Sequence, residues 1–342
     1  MIKTAVVILN WNGVKLLEQF LPSVIQYTLS DDVEIIVADN CSTDNSIGFL
    51  KETYPQIRRI VLPENYGYAD GYNQSLKQIE AKYFVLLNSD VEVGEGWLQP
   101  IVDFLDVNED VVAAQPKLLA QRNKSYFEYA GAAGGFLDKY GYPFCRGRIF
   151  GEIEQDKGQY DTITDVLWAT GACMVIRARD FFDAGGFDAT FFAHMEEIDL
   201  CWRLNSRGKR IVCIPSSVVY HVGGATLSEE SPRKTFLNFR NNLLMLYKNL
   251  PEDSIDRVLN KRILLDYIAA LKYALTGKMP NAKAVHAAHK EFRQIKQSYT
   301  LARRENLEKA TQSNLKTIYP KSILADFYFR GNKFFSRLQK FC

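Results

Sequence analysis

Residues 86–93 read LLNSDVEV. The apolar run through Val85, Leu86 and Leu87 stops abruptly at Asn88, Ser89 and Asp90. A short apolar run bounded by polar residues reads as a strand buried on both faces, as in a parallel sheet covered by helices. An acid just past such a strand projects from the carboxyl edge of the sheet, where open α/β sheets bind their ligands. Taken alone, Asp90 is equally a turn cap, so the flanking segments decide its reading.

Upstream, the same plan repeats. Residues 5–9 (AVVIL) run into Asn10, Trp11, Asn12 and Gly13, followed at helical spacing by Leu16, Leu17, Phe20, Leu21, Val24 and Ile25. Residues 33–38 form a second apolar run that ends at Asp39 and Asn40, and Ser42 or Asp44 suits the N-cap of a helix over 47–54. A third strand over 57–62 leads into the polar residues 65–73 and a helix to about residue 79, and a fourth covers 83–87. Strands alternating with helices predict a doubly wound, mostly parallel α/β sheet. In such a sheet the clusters Asn10/Asn12, Asp39/Asn40, 65–73 and 88–90 converge in one crevice. A dinucleotide-binding fold is set aside, because its first strand-to-helix turn needs three glycines at close spacing and only Gly13 is present; Gly67 and Gly71 follow another strand.

Downstream, the pattern predicts a helix over 97–104 and a strand over 111–116. Residues 121–163, rich in glycine, tyrosine and charge without periodicity, read as a loop-rich insertion. Residues 166–177 (VLWATGACMVIR) read as a strand or strand pair containing Gly171, with a short helix from Ala178. Glu196, Glu197 and Asp199 then open a helix marked by Ile198, Cys201, Trp202 and Leu204. Acids at a helix start complement its dipole, but three of them between the aromatic run Phe191, Phe192 and Arg203 make that role alone a less complete explanation. A strand over 212–220 ends at His221, which by itself is more often an ordinary residue than a ligand.

The chain of 342 residues has a net charge of +2, which conceals an asymmetry: residues 251–342 carry 18 Lys and Arg against 8 Asp and Glu. Such a basic region suits a polyanion, either nucleic acid or an anionic membrane surface. No nucleic-acid motif accompanies it, so nucleic acid is not expected as a partner. The six scattered cysteines show no zinc-like spacing and fit reduced thiols in a cytoplasmic compartment. No secretory leader is read at the N-terminus, and no run of about 18 apolar residues marks a spanning helix.

Seven segments in order, VVILNWNG, VADNCSTDNS, NYGYADGYNQS, LLNSDVEV, FFAHMEEIDLCWRLNSRG, VYHVGG and RNNLLMLYKN, resemble the family 2 glycosyltransferases, and within them a rhamnosyltransferase-like bacterial branch. The resemblance spans about residues 3–249 and implies the GT-A nucleotide-diphospho-sugar transferase fold. Carried onto this sequence, it implies that Asp39 binds base and ribose with Asn10 and Asn12. Asn65, Gly67, Gly71, Asn73, Asn88, Ser89, Gly171 and Arg240 complete the implied nucleotide-sugar site. Asp90 matches the last acid of the family's D-x-D motif, with Asn88 in place of the first. His221 matches the family histidine beside the metal, so Asp90 and His221 are the implied ligands of Mg²⁺ or Mn²⁺. Glu197 matches the catalytic base, with Glu196 and Asp199 as fallbacks. The implied reaction is inverting transfer from a nucleotide-sugar donor, dTDP-rhamnose first and a UDP-sugar second, to a saccharide or lipid-linked saccharide acceptor. Two other readings stay open: a catalytically dead sugar-nucleotide-binding subunit, and a nucleotidyltransferase, which NWNG does not favour.

The strands end near residue 250, dividing a catalytic domain (1–250) from a helical, basic appendage (251–342). Ile263, Leu264, Tyr267, Ile268, Leu271 and Leu275 share a helix face expected to pack on the catalytic domain. Residues 323–342, with interleaved aromatic and basic side chains, suit a peripheral contact with an anionic membrane surface.

Overall fold

The computed structural model describes residues 2–28, 30–223 and 231–338. Its first half alternates as the sequence predicts: β1 (Ile2–Asn10), α1 (Val14–Thr28), β2 (Val33–Asp39), α2 (Ser46–Thr53), β3 (Arg58–Val61), α3 (Gly67–Leu76) and β4 (Ala81–Asn88). Next come β5 (Val91–Val93), α4 (Gln99–Val107) and β6 (Val111–Ala120). Residues 121–165 form β7 (Asn123–Phe127), β8 (Gly135–Asp138), β9 (Pro143–Cys145), β10 (Arg148–Ile149), β11 (Glu152–Ile153) and β12 (Thr164–Asp165). They are followed by β13 (Cys173–Arg177), α5 (Ala178–Asp183), α6 (Glu196–Ser206), β14 (Arg210–His221) and α7 (Pro232–Asn249). The remainder holds α8 (Ile255–Leu275), α9 (Met279–Ile295), α10 (Thr300–Lys309), β15 (Ile318–Tyr319) and α11 (Ile323–Tyr328).

The main sheet runs β12-β14-β6-β13-β4-β1-β2-β3. Strands β1 to β4 pair in parallel, and β13 enters antiparallel between β4 and β6. Along β4, Tyr83, Val85 and Leu87 join one core while Phe84 and Leu86 join the other. Successive side chains point to opposite faces of a strand, and with both faces covered every residue from 83 to 87 is apolar or aromatic. The polar residues that stop the strands fall at one edge: Asn10 is in register with Asp39, and Leu9 with Asn88.

Three expectations are corrected. Residues 121–163 are not loop alone: β8 to β11 form a second sheet, closed by β15 from the C-terminal region in parallel with β8. Only 173–177 of the predicted 166–177 segment is a strand; residues 166 and 167 cross between the sheets, where the Val166 amide donates to the Ile211 carbonyl and the Leu167 amide to that of Gly135. The third concerns α8. Leu264, Tyr267, Ile268, Leu271 and Leu275 are exposed, and the inward face is Val258, Leu259, Arg262, Asp266 and Ala270. That inward face is held by ions as well as oil: the Arg262 guanidinium pairs with Asp266 at 2.7 Å, and Asp266 also meets His289 of α9 at 3.0 Å.

The segment 323–342 is likewise woven in over much of its described length. Ile323 is fully buried, its amide donating to Asp138 at 2.9 Å, and the Phe335 ring lies 5.4 Å from that of Phe136. Tyr328 and Phe329 remain exposed; residues 339–342 lie outside the described residues. No described helix is long and apolar enough to cross a membrane.

Candidate active site

The first three strand ends are laced together. The Asn10 amide donates to Asp39 Oδ1 at 3.0 Å, and the Ser42 amide donates to Asp39 Oδ2 at 2.9 Å. Asn12, with φ of 51°, accepts the Thr43 amide at 2.7 Å, which fastens the first loop to the second. Asn40 donates to Asn65 at 3.1 Å and to the Gly67 carbonyl at 2.9 Å, fastening the second to the third. Buried polar groups are costly unless bonded, so these side chains fix the loops while closing the edge. Gly71 fits tightly here, since a Cβ would come within 3.1 Å of Asn40 and Leu9.

Past β4, Asp90 and His221 meet. Both are buried, with Asp90 Oδ1 3.1 Å from His221 Nε2, and Asn88 Nδ2 lies 3.5 Å from the same nitrogen. The Ser89 hydroxyl lies on the Gly13 side of this turn. Two strands make the encounter: β14 pairs with β5, which places His221 opposite Val91. On the far side of the ring, Glu128 Oε1 stands 3.3 Å from Nδ1 at ion-pair distance. Burial alone would lower the His221 pKa, but Asp90 and Glu128 outweigh it and raise it to about 10.

This pair suits a divalent ion. Two adjacent ligands of an octahedral ion at about 2.1 Å stand about 3.0 Å apart, close to the Asp90–His221 spacing of 3.1 Å. Of Mg²⁺ and Mn²⁺, the imidazole nitrogen favours Mn²⁺, since Mg²⁺ is the harder, oxygen-seeking ion. Among the described residues no group of three or more His, Cys, Asp and Glu side chains is assembled that could hold a metal ion. Ligation requires His221 to give up its proton, so affinity rises with pH.

The second acid cluster starts α6. Its preceding loop carries three non-glycine residues at positive φ, Phe192 (62°), His194 (72°) and Met195 (73°). Such conformations cost roughly 1–3 kcal/mol each and persist only where surroundings impose them. Here the Tyr68 amide donates to the Phe192 carbonyl at 2.6 Å, and Asn241 Nδ2 donates to the carbonyls of Phe191, Ala193 and His194 at 2.8 to 3.0 Å. Gly67 permits the first contact: it has φ of 72°, and a Cβ there would stand 2.6 Å from the Phe192 carbonyl oxygen.

This loop delivers Glu196 and Glu197 without partners for one oxygen each: both Oε2 atoms are covered and lack a hydrogen bond. Glu197 keeps partial solvent access, whereas Glu196 is buried. Burial raises the Glu197 pKa to about 7 against the pull of the helix-start amides of Glu197 and Ile198. Burial, and then the charge of Glu197, push Glu196 well above the carboxylate range. The two clusters face the same sheet edge through Tyr68. Its hydroxyl donates to the Gly171 carbonyl at 2.6 Å, the adjacent Ala172 carbonyl accepts the Asn88 amide at 3.0 Å, and the charges of Glu196 and Glu197 both act on the Tyr68 phenol.

Three candidates are placed differently. Asp199, fully buried, is bonded to Arg203 at 3.0 Å, Lys248 at 2.8 Å and Asn249 at 2.9 Å; burial would raise its pKa, but Lys248 and Arg203 hold it lowered. It anchors α6 to α7 and leaves the general-base candidates. Arg240 donates to the Thr190 carbonyl and to Glu291, both at 2.7 Å, and so fixes the 190s loop rather than facing a phosphate. Asn73 clamps both the amide and the carbonyl of Phe187, at 3.0 and 2.9 Å. Sequence reasoning missed Tyr68 and Asn241 as individual residues, although both lie in quoted motifs. Glu128 lay in the aperiodic insertion, where no spacing signalled it.

Residues 5–164 match the glycosyl transferase family 2 profile. The chain carries a glycosyl transferase family 2 domain. Among characterised relatives, N-acetylglucosaminyl-diphospho-decaprenol L-rhamnosyltransferase of Mycobacterium tuberculosis is 27% identical over 60% of this chain and 71% of its own length. Rhamnosyltransferase WbbL of Escherichia coli is 25% identical over 46% of this chain and 61% of its own. Among solved structures, S. aureus TarS in complex with UDP-GlcNAc superposes with a TM-score of 0.56 at 16% identity, covering 90% of this chain and 89% of that one. Mannosyltransferase PcManGT from Pyrobaculum calidifontis, in complex with GDP-Man and Mn²⁺, gives 0.51 at 13% identity, covering 91% and 86%. The fold is therefore GT-A, and the family 2 domain identifies a glycosyltransferase.

Proposed function

We propose that this glycosyltransferase moves a sugar, with inversion, from a nucleoside-diphosphate donor to a saccharide or lipid-linked saccharide in cell-surface polysaccharide assembly. The donor of first choice is dTDP-rhamnose and the second a UDP-sugar. The observation that carries the reading is the sheet edge with two unlike acid clusters: Asp90 paired with His221, and Glu197 beside Glu196 with covered, unpartnered oxygens.

Asp90 and His221 would hold Mg²⁺ or Mn²⁺, which when bound offsets the negative charge growing on a departing diphosphate. Asp39, Asn10 and the Asn40–Asn65–Gly67 knot shape the crevice for nucleoside and ribose. Across the anomeric carbon, Glu197 accepts the proton of the acceptor hydroxyl as that oxygen bonds to the carbon. The bond from carbon to diphosphate oxygen breaks in the same displacement, so the nucleoside diphosphate leaves with the electron pair. Burial suits Glu197 to this role, because a base with a pKa near neutrality is strong enough to take the proton yet ionised often enough to act.

The rhamnosyltransferase names among the relatives support the first donor, and the decaprenol-linked acceptor named for one supports a lipid-linked acceptor here. A lipid acceptor and the unpaired thiols of Cys145, Cys173, Cys201 and Cys213 fit a cytoplasmic enzyme working at the inner face of the membrane. Incubating the protein and Mn²⁺ with dTDP-rhamnose, UDP-sugars and a lipid-diphosphate sugar acceptor tests the reading. Released dTDP or UDP and a product of inverted configuration are expected. Retention of configuration would overturn the mechanism, and binding without release from any donor would favour the subunit reading suggested by Asn88.

A further inference from the structure

The exposed face of α8 has the composition of a membrane-interface helix. Leu264, Ile268, Leu271 and Leu275 are 54, 56, 58 and 79% exposed and recur at helical spacing, so they form one stripe along the helix. Arg257, Lys261 and Lys272 share the same arc, also exposed. The helix has two acids: Asp266 is turned inward, and Asp256 sits off the stripe. A second exposed apolar group joins at the side. Lys272 Nζ lies 5.8 Å from the centre of the Tyr328 ring, and Phe329, 88% exposed, follows Tyr328. Phe150 packs against the rings of both Phe327 and Tyr328, which holds this aromatic corner in place.

A contiguous apolar face on a monomer marks an interaction surface. Its chemistry selects the partner. Aliphatic side chains along one arc, cations in the same arc and aromatic rings at one end match a bilayer with anionic headgroups, where cations stay at the headgroup level while apolar groups enter the acyl boundary. We infer that α8, with Tyr328 and Phe329, is the surface by which the protein lies on an anionic membrane. This replaces residues 323–342 as a whole, since Ile323 and Phe335 of that segment are buried in the protein. It deepens the proposed function, because a lipid-linked acceptor must be met at a bilayer. The inward side of α8 packs on α7, whose Arg240 and Asn241 fix the loop bearing Glu197.

The test uses the full chain and vesicles of phosphatidylglycerol with phosphatidylethanolamine, against vesicles of phosphatidylcholine. Wild-type protein should sediment with the anionic vesicles and much less with the neutral ones. In the double variant Ile268→Glu/Leu271→Glu, whose positions are exposed, binding should weaken by more than about tenfold, with unchanged circular dichroism and unchanged transfer to a detergent-solubilised acceptor. The variant Tyr328→Ser/Phe329→Ser should weaken it to a smaller degree. Equal sedimentation of wild type and the first variant would overturn the inference. So would a wild-type dimer in light scattering that the same variant dissolves, because the face would then meet a second copy. Loss of transfer to the solubilised acceptor by the wild type would instead count against the proposed function, leaving the vesicle result to stand by itself.

Discussion

The strand-end cradle and the loop before α6 face the same edge but are stabilised in opposite ways. In the cradle most buried polar groups satisfy one another: Asp39 accepts from Asn10 and Ser42, and Asn40 bonds to Asn65 and Gly67, while the amide oxygen of Asn10 is left without a partner. In the 190s loop the fastening is done from outside, by Tyr68, Arg240 and Asn241 on its backbone carbonyls, while Glu196 and Glu197 each keep an unpartnered oxygen. A polar group left unpaired in a protein interior costs free energy. On the proposed function, its persistence on a loop so heavily braced suits a group that takes a proton, whereas the more fully bonded cradle suits a surface that shapes and holds a ligand. The contrast repeats within α6, since Asp199 lies two residues from Glu197 and is bonded to three partners.

The largest expected effect breaks this contrast at the unsatisfied end. Glu197→Gln should lower kcat by about 100- to 10,000-fold, measured as nucleoside diphosphate released under saturating donor. Asp199→Ala attacks the satisfied residue of the same helix. It leaves Arg203 buried without a carboxylate and Lys248 with Asp188 alone, and stability should fall by about 3–5 kcal/mol in urea denaturation, a loss of folding rather than of a catalytic group. Glu128→Gln removes the carboxylate behind His221 and should weaken Mn²⁺ affinity by about 10- to 100-fold, read by titrating the metal in the presence of nucleoside diphosphate.

The smallest effect is on the pH profile. Because burial raises Glu197 to about 7, its base form is lost below that pH, and kcat/KM should rise with pH to a plateau above it. The sign of the stability term is the reverse. A carboxyl whose pKa is higher in the folded state than its ordinary 4.5 contributes stability that is full below that value and lost as pH rises through about 7. Melting curves of Glu197→Gln should therefore depend less on pH over that window than those of the wild type.

Much of this was legible because the alternation is physical. Strands buried on both faces must be apolar throughout, so Val85 to Leu87 announced a covered sheet, and polar residues stopping each strand had to share its edge. The convergence of Asp90 with His221 was readable only through the motif order, since 131 residues separate them. What distinguishes Asp199 from Glu197 was not local: its partners Lys248 and Asn249 arrive from α7. The orientation of α8 was misread for a related reason. Its inward face contains Arg262 and Asp266, which look like surface until Tyr142 and His289 enclose them, leaving the oily face outward.

The separation of the two ends of the site is tested most directly by calorimetric titration of the donor's nucleoside diphosphate, with and without Mn²⁺, into wild type, Asp90→Ala and Glu197→Gln. The result predicted is metal-dependent binding in the wild type, the same binding in Glu197→Gln, and loss of the metal-dependent part in Asp90→Ala. An Asp90→Ala protein that keeps its full response to Mn²⁺, or a Glu197→Gln protein that loses it, would contradict the account.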